Sequence, residues 1–148
     1  AEVYGGADMV IKVKVPQPGE CAMLRPGQVL YAYLHLAPDP EQTAALVKSG
    51  ATCIAYETVT DGKGGLPLLA PMSEVAGRMS PQIGAHYLER PSGGHGVLLG
   101  GVRGVEPAQV LVIGAGAVGS NAALIAAGMK ADVTVTARSA EALRAVSQ

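Results

Sequence analysis

One glycine-rich stretch constrains the fold more than any other part of this chain of 148 residues. Gly114, Gly116 and Gly119 form the pattern G-x-G-x-x-G, which follows the apolar run 110–113 and precedes the alanine-rich segment 121–129. A strand, a glycine loop and a helix in this order are typical of a dinucleotide-binding βαβ unit. The sequence therefore predicts a dinucleotide site.

Each glycine has its own task in such a unit. Gly114 permits the tight turn, Gly116 lets the backbone approach a pyrophosphate, and Gly119 lets the helix pack closely on the strand. The unpaired N–H groups at the start of the following helix and the helix dipole then hold the phosphates, and Ala117 and Val118 in the loop are counted among the cofactor-binding residues. The alternative is an ordinary βαβ unit whose glycines serve only packing.

Strands and helices alternate along the chain. Strands are predicted within 7–16, 29–36 and 52–59, with a helix over 38–49, and a further strand at 132–136 completes the glycine-loop unit. This spacing predicts an α/β fold with doubly wound, mostly parallel sheets, including an incomplete Rossmann-type nucleotide-binding unit.

The chain also shows a compositional break near Pro67–Pro71, which predicts two lobes, residues 1–67 and 68–148. The glycine-rich stretch 93–101 predicts a short strand or hairpin leading to the nucleotide unit. Because a full dinucleotide fold needs about six strands, we expect the chain to be a fragment.

A helix is predicted to begin near Pro71, with Ser73 in a cap-like position. Pro81 does not suit a helix interior. Either the helix kinks there, or Ser80 caps a second helix with Pro81 at its first position. From pattern alone, Ser73 has a capping role only.

Two side chains at predicted strand ends are candidates for a ligand site. Lys12 and Lys14 lie two apart on the first strand and share a face, although both could simply reach solvent. His35 lies near the end of the second strand, where ligands bind in open α/β sheets, and an imidazole there can act as acid or base. The alternative is a core histidine bonded to a neighbouring carbonyl.

Composition excludes several classes of function. The net charge of −1 gives no basic surface for nucleic acid or an anionic membrane. No apolar run is long enough for a membrane span, so we expect a cytoplasmic protein. His35, His86 and His95 share no metal-ligand spacing, so no metal site is predicted. The sequence contains no G-x-S-x-G motif for nucleophilic catalysis.

Several runs together resemble the alanine dehydrogenase family, and the resemblance covers essentially the whole chain. The runs are Val10–Lys14, Tyr33–Leu36, Ile54–Val59, Leu66–Arg78 and Gly100–Val105. The most specific are Leu66–Arg78 and Tyr33–Leu36. In this light residues 1–67 are part of a substrate domain, and 68–148 are a connecting helix with the start of an NAD-binding domain.

The resemblance implies an activity and roles for particular residues. Lys14 would bind the substrate carboxylate and His35 would be the catalytic acid/base, while Ser73 and the loop Gly114–Gly119 would bind NAD. Lys12 would remain a solvent residue. The implied reaction is the reversible oxidative deamination of L-alanine to pyruvate and ammonia, in L-alanine catabolism by a homohexamer.

Two departures from the family pattern carry consequences. The family's substrate-binding arginine and catalytic aspartate would lie outside this chain, so we expect no turnover by the chain alone. In addition, Ala137 and Arg138 stand where an Asp or Glu normally binds the adenine ribose, and Asp132 is badly placed to substitute. We therefore expect NAD to be favoured by family while NADP is also accepted.

Two other functions fit part of the sequence. The NAD-binding subunit of a proton-translocating transhydrogenase shares the fold, but is not expected to carry Leu34-His35-Leu36. A non-catalytic nucleotide-binding module would keep the glycine loop and lack the chemistry.

Overall fold

The structure, a computed structural model, describes residues 1–147 and divides into two compact units, Ala1–Leu69 and the residues from Ala70 onward. In the first unit the strands are β1 (Met9–Ile11), β2 (Val29–Ala32) and β3 (Thr52–Ala55), and the helices are α1 (Glu2–Gly6), α2 (Pro18–Cys21) and α3 (Pro40–Ser49). A 3-10 turn, Tyr56–Thr58, follows β3. In the second unit the helices are α4 (Ala70–Leu88), α5 (Ala117–Gly128) and α6 (Ala140–Val146), the strands are β4 (Gln109–Ile113) and β5 (Asp132–Thr136), and a 3-10 turn spans Arg90–Ser92.

Both sheets are parallel, so the prediction of an α/β fold with parallel sheets is confirmed. The first sheet has the order β1-β2-β3, and the second pairs β4 with β5 from Gln109 opposite Asp132 to Ile113 opposite Thr136. Because all strands of a sheet run the same way, their carboxyl ends meet at one edge. The residues predicted as ligand sites in the first unit follow the strands at that edge.

The first core lies around β2, whose Leu30 and Ala32 are completely buried. α3 closes over it through Leu46; Asp39 caps this helix by accepting from the Gln42 amide, and Gly50 ends it in the left-handed conformation. α1 and α2 were not predicted, because short helices give too few residues for a periodic pattern.

The predicted strands are too long in this unit. The expectation of strand over 29–36 is wrong beyond Ala32, and that of strand to 59 is wrong beyond Ala55. In the second unit the expected strand or hairpin at 93–101 is absent, and the only pairing nearby is a bridge between Val102 and Val105.

α4 is one continuous helix that contains Pro81, so the alternative in which Ser80 caps a second helix is wrong. Proline lacks the N–H that would bond to the carbonyl of Gly77, four residues earlier. The Ser80 hydroxyl donates to that carbonyl at 2.8 Å and replaces the missing bond. Ser73 lies inside this helix, so the reading of Ser73 as a cap alone is wrong.

Candidate functional site

In the first unit, three functional side chains follow the carboxyl ends of neighbouring strands. Lys14 follows β1, His35 follows β2, and Glu57 follows β3. The Tyr33 amide donates to the Val13 carbonyl at 3.2 Å, which ties the segment before His35 to the segment before Lys14. The fold therefore gathers these residues at one edge of the sheet.

Glu57 holds the backbone at His35. Its carboxylate accepts from the His35 amide at 2.6 Å and from the Leu34 amide at 3.1 Å. His35 has a φ of 46°, in the left-handed region that a residue with a Cβ rarely adopts. Such strained backbone persists only where neighbouring contacts hold it, and Glu57 supplies two of them.

The same contacts keep the Glu57 carboxyl ionised. Partial burial alone would raise its pKa, but the hydrogen bonds from the backbone amides, led by that of His35, together lower it. Sequence reasoning did not single out Glu57. Its signal was its position directly after a predicted β-rich run, at the edge where open α/β sheets bind ligands.

The His35 ring is exposed and is therefore not a buried core histidine. It stacks on the Tyr33 ring with centroids 6.2 Å apart and planes at 13°. Tyr33 is in turn held by an edge-on contact with Tyr56 at 4.9 Å and by donating its hydroxyl proton to the Leu68 carbonyl at 2.5 Å. An exposed imidazole supported on one face can exchange protons with a bound ligand.

The two lysines differ in their partners. Lys12 is 22% exposed and forms an ion pair with Glu20, so the expectation that it simply reaches solvent is wrong. Lys12, followed by the Gln17 amide, lowers the pKa of Glu20. Lys14 is exposed and has no salt bridge within residues 1–147. Both lie beyond the end of β1 at Ile11, and only Lys14 offers an ammonium group to a ligand.

Tyr4 lies against this ion pair. Its hydroxyl is buried without a hydrogen-bond partner among the described residues. Burial, together with the nearby Glu20 carboxylate, raises the pKa of Tyr4 to about 12. The hydroxyl therefore stays protonated, and the cluster of Tyr4, Lys12 and Glu20 is a structural support beneath β1.

In the second unit, the glycine loop joins β4 to α5. The Gly114 amide donates to the Thr136 carbonyl at 2.7 Å, and Gly114 has a φ of 108°, which favours glycine. A Cβ on Gly119 would lie 1.9 Å from the Gly114 carbonyl oxygen, so the helix can approach the loop only with glycine there. A Cβ on Gly116 would meet nothing within 4 Å, so open space lies in front of the loop.

α4 completes a cleft beside this loop. A Cβ on Gly77 would lie 2.4 Å from the Val118 carbonyl oxygen, so α4 and α5 cross closely, and Arg78 Nε donates to Asn121 Oδ1 at 2.9 Å. The cleft has a volume of about 760 Å³. Its lining includes every residue predicted to bind the cofactor, namely Ser73, Gly114, Gly116, Ala117, Val118 and Gly119.

This cleft suits a dinucleotide. Its lining is largely apolar and carries no charged side chain, as expected where backbone N–H groups, rather than lysines or arginines, bind the phosphates. The open space before Gly116 lies at the start of α5, whose first N–H groups have no partner within the helix.

Other groups of polar side chains do not form a site. Ser92 Oγ lies 3.3 Å from His86 Nε2, and His86 Nδ1 lies 3.9 Å from Glu89, but His86 and Glu89 are exposed. The neighbouring Gly93 and Gly94 amides donate to Arg90 and Glu89 carbonyls and cannot hold an oxyanion.

Residues 1–147 contain no group of three or more metal-ligating side chains, and no helix among them has the length and apolar character to cross a bilayer.

Comparisons with known proteins agree with this geometry. A family model described as the alanine dehydrogenase/PNT N-terminal domain matches residues 1–76, and one described as the C-terminal domain of the same family matches residues 80–148. The chain belongs to the alanine dehydrogenase/PNT family. Membership confirms the family resemblance that the sequence runs predict.

Relatives within the family include curated alanine dehydrogenases. The chain is 58% identical over 139 residues to that of Halomonas elongata and 59% identical over 134 residues to that of Mycobacterium tuberculosis. These matches cover 94% and 90% of this chain, but only 38% and 36% of the relatives. The chain thus spans less than two fifths of the length of these relatives.

Solved structures show the same fold. An L-alanine dehydrogenase matches with a TM-score of 0.84 and 48% identity over 95% of this chain and 39% of its own. A transhydrogenase from Sinorhizobium meliloti matches with a TM-score of 0.73 and 25% identity over 95% of this chain and 42% of its own. The alanine dehydrogenase is nearer to this chain in both sequence and structure.

Proposed function

We propose that the chain belongs to an enzyme that catalyses the reversible oxidative deamination of L-alanine to pyruvate and ammonia with NAD as cofactor. The proposal is supported by two features that occur together in this chain. One is the glycine-loop cleft, which Ser73 also lines, and the other is a sheet edge at which an exposed His35 and an exposed Lys14 follow neighbouring strands. The identity to curated alanine dehydrogenases supports the substrate.

Lys14 is proposed to bind the substrate carboxylate. Its ammonium group is exposed and has no ion-pair partner among residues 1–147, so it can donate charge-assisted hydrogen bonds to a carboxylate. Lys12 cannot do so without giving up Glu20. Because Lys12 is paired with Glu20, only Lys14 is assigned to the substrate.

His35 is proposed to be the acid/base. Removal of a hydride from the α-carbon and of a proton from the amine would convert alanine to an imine. A His35 nitrogen can then accept a proton from the water that adds to the imine carbon and return one to the departing amine, so that ammonia leaves and pyruvate forms. In the reverse direction it protonates the carbonyl oxygen as ammonia adds. Glu57 is a positioning residue, because it binds the backbone at His35 rather than the ring.

The glycine loop is proposed to hold the cofactor. Backbone N–H groups at Ala117 and Val118 would bind the pyrophosphate, Gly116 would admit it, and Ser73 would donate or accept a hydrogen bond from α4. When bound there, NAD would supply the acceptor for the hydride that leaves the α-carbon of alanine.

The domain roles, compartment and assembly belong to the same proposal. Residues 1–67 are assigned to the substrate domain, and 68–148 to a connecting helix with the first part of the NAD-binding domain. We place the protein in the cytoplasm as a homohexamer, by its family. Sedimentation of the purified protein tests the assembly.

Pyruvate binding distinguishes this function from its alternatives. Saturation-transfer NMR should detect the pyruvate methyl group on the purified chain, and Lys14→Ala should weaken binding roughly tenfold, the loss expected for a charge-assisted hydrogen bond. Lys63→Ala, which removes another exposed lysine of the same unit, is the matched control and should have no effect.

Two results would contradict the proposal. If the chain binds NADH but not pyruvate, the transhydrogenase subunit or a non-catalytic nucleotide-binding module becomes the better account. If both lysine variants bind pyruvate equally well, Lys14 is not the carboxylate ligand.

A further inference from the structure

A second cleft, of about 890 Å³, opens on the other side of the glycine loop. One wall is the loop residues 113–116, and the other is the segment 136–139 that follows β5. The bond from the Gly114 amide to the Thr136 carbonyl fixes the two walls side by side. In a dinucleotide unit this is where the adenine-side ribose lies, since the residue that selects the ribose follows the second strand.

The residues that line this second cleft include a basic side chain but no acidic one. None of its residues is acidic, and Arg138 is the one charged residue among them. Ala137 stands at the position where an Asp or Glu normally accepts from the ribose hydroxyls. Asp132 lies at the opposite end of β5, paired with Gln109, and cannot reach the cleft.

Arg138 is available to a ligand. Its side chain is exposed and makes no hydrogen bond or salt bridge among the described residues 1–147. A guanidinium group presents paired donors that match a phosphate, and without a carboxylate beside it no repulsion opposes that phosphate.

We propose that this second cleft is a 2′-phosphate subsite, so that the protein accepts NADP(H) as well as NAD(H), with Arg138 as the phosphate ligand and Ala137 as the residue that permits it. This inference rests on the proposed function, because it assumes that the glycine loop binds the rest of the dinucleotide.

Fluorescence titration of the purified 148-residue chain with NADH and with NADPH tests the inference directly. The chain contains no Trp, so protein emission interferes little with the nicotinamide signal. The unaltered chain should bind both nucleotides with affinities within about tenfold of each other. Arg138→Ala should weaken NADPH binding roughly tenfold and leave NADH nearly unchanged.

Two further variants sharpen the test. Ala137→Asp places a carboxylate beside the phosphate, and should weaken NADPH binding at least roughly tenfold while preserving or strengthening NADH binding. Arg144→Ala removes another exposed arginine, on α6 and outside the cleft lining, and should change neither affinity. Raising the salt concentration should weaken NADPH binding more than NADH binding, because exposed charge pairs are screened.

The outcomes separate the inference from the function. NADH binding without NADPH binding, or an equal loss of both in Arg138→Ala, would overturn the 2′-phosphate subsite and leave the NAD-dependent function intact. Binding of neither nucleotide would overturn both the subsite and the proposed cofactor site.

Discussion

Removal of the Glu57 carboxylate should release the backbone around His35. Glu57 accepts from two amides, Leu34 and His35, at distances of 3.1 and 2.6 Å. A hydrogen bond to a charged group contributes roughly 1.5–3 kcal/mol where the donor is buried. Leu34 is buried, whereas His35 is exposed and its amide can bond to water instead. We therefore expect Glu57→Ala to cost about 2 kcal/mol locally.

Amide hydrogen exchange measures this cost at the residues concerned. About 2 kcal/mol corresponds to a fall in the protection of the Leu34 amide by roughly 30-fold. Glu57→Gln keeps one acceptor oxygen and should cost less. Glu41→Ala removes an exposed carboxylate from α3 and serves as the control, with no effect at Leu34. Unchanged protection in Glu57→Ala would refute the view that this carboxylate holds the left-handed residue in place.

Three further perturbations follow from the same contacts. Gly119→Ala should disrupt the glycine loop, because the added Cβ would lie 1.9 Å from a carbonyl oxygen, whereas Gly116→Ala should keep the fold. Circular dichroism should therefore show a lower melting temperature for Gly119→Ala than for Gly116→Ala, and equal melting temperatures would contradict this. Ser80→Ala should lower the free energy of unfolding by about 1 kcal/mol in urea titrations, because it leaves the Gly77 carbonyl without a hydrogen-bond donor. An unchanged free energy of unfolding would argue against the view that Ser80 replaces the bond that Pro81 cannot form. Because folding lowers the pKa values of Glu20 and Glu57 from 4.5, the stability that the two carboxylates contribute is complete above pH 4.5 and is lost as the pH falls through their pKa values in the folded state. If the first unit gained stability on acidification, this reasoning would be contradicted.

The nucleotide unit was the part most readily predicted from sequence. β5 spans the predicted residues 132–136, and β4 begins one residue before the predicted apolar run. Local chemistry dictates this segment: β-rich runs lie on either side, Gly114 has a positive φ, and a Cβ on Gly119 would clash. Each local preference agrees with the fold, so the pattern was sufficient.

The sheet edge of the first unit was harder to predict. The run 29–36 is β-rich throughout, yet the strand ends at Ala32 because His35 adopts a left-handed backbone that Glu57 holds from a distant part of the chain. A contact between residues more than twenty positions apart leaves no local signal. The Lys12–Glu20 pair is only eight positions apart, but it joins a residue after β1 to a residue of α2, so no single helix or strand pattern predicts it. This pair separates the roles of two lysines that spacing alone treats alike.

α4 shows how a neighbouring side chain overrides propensity. Proline inside a helix costs about 3 kcal/mol in an otherwise ordinary sequence. Here the preceding residue, Ser80, supplies a donor to the carbonyl that Pro81 leaves open, and the helix continues to Leu88. A Ser before a Pro is compatible with the cap of a second helix as well as with a helix that runs on, so the sequence left a kinked helix and a second helix both open.

The central claim is that the glycine-loop cleft of this family member binds the nicotinamide dinucleotide. The most direct measurement is an NADH titration of the isotopically labelled chain, followed through backbone amide chemical shifts. We expect the largest shifts at Ser73, Gly114 and residues 116–119, which line one cleft. Saturable shifts confined to other residues, or none at all, would contradict the account.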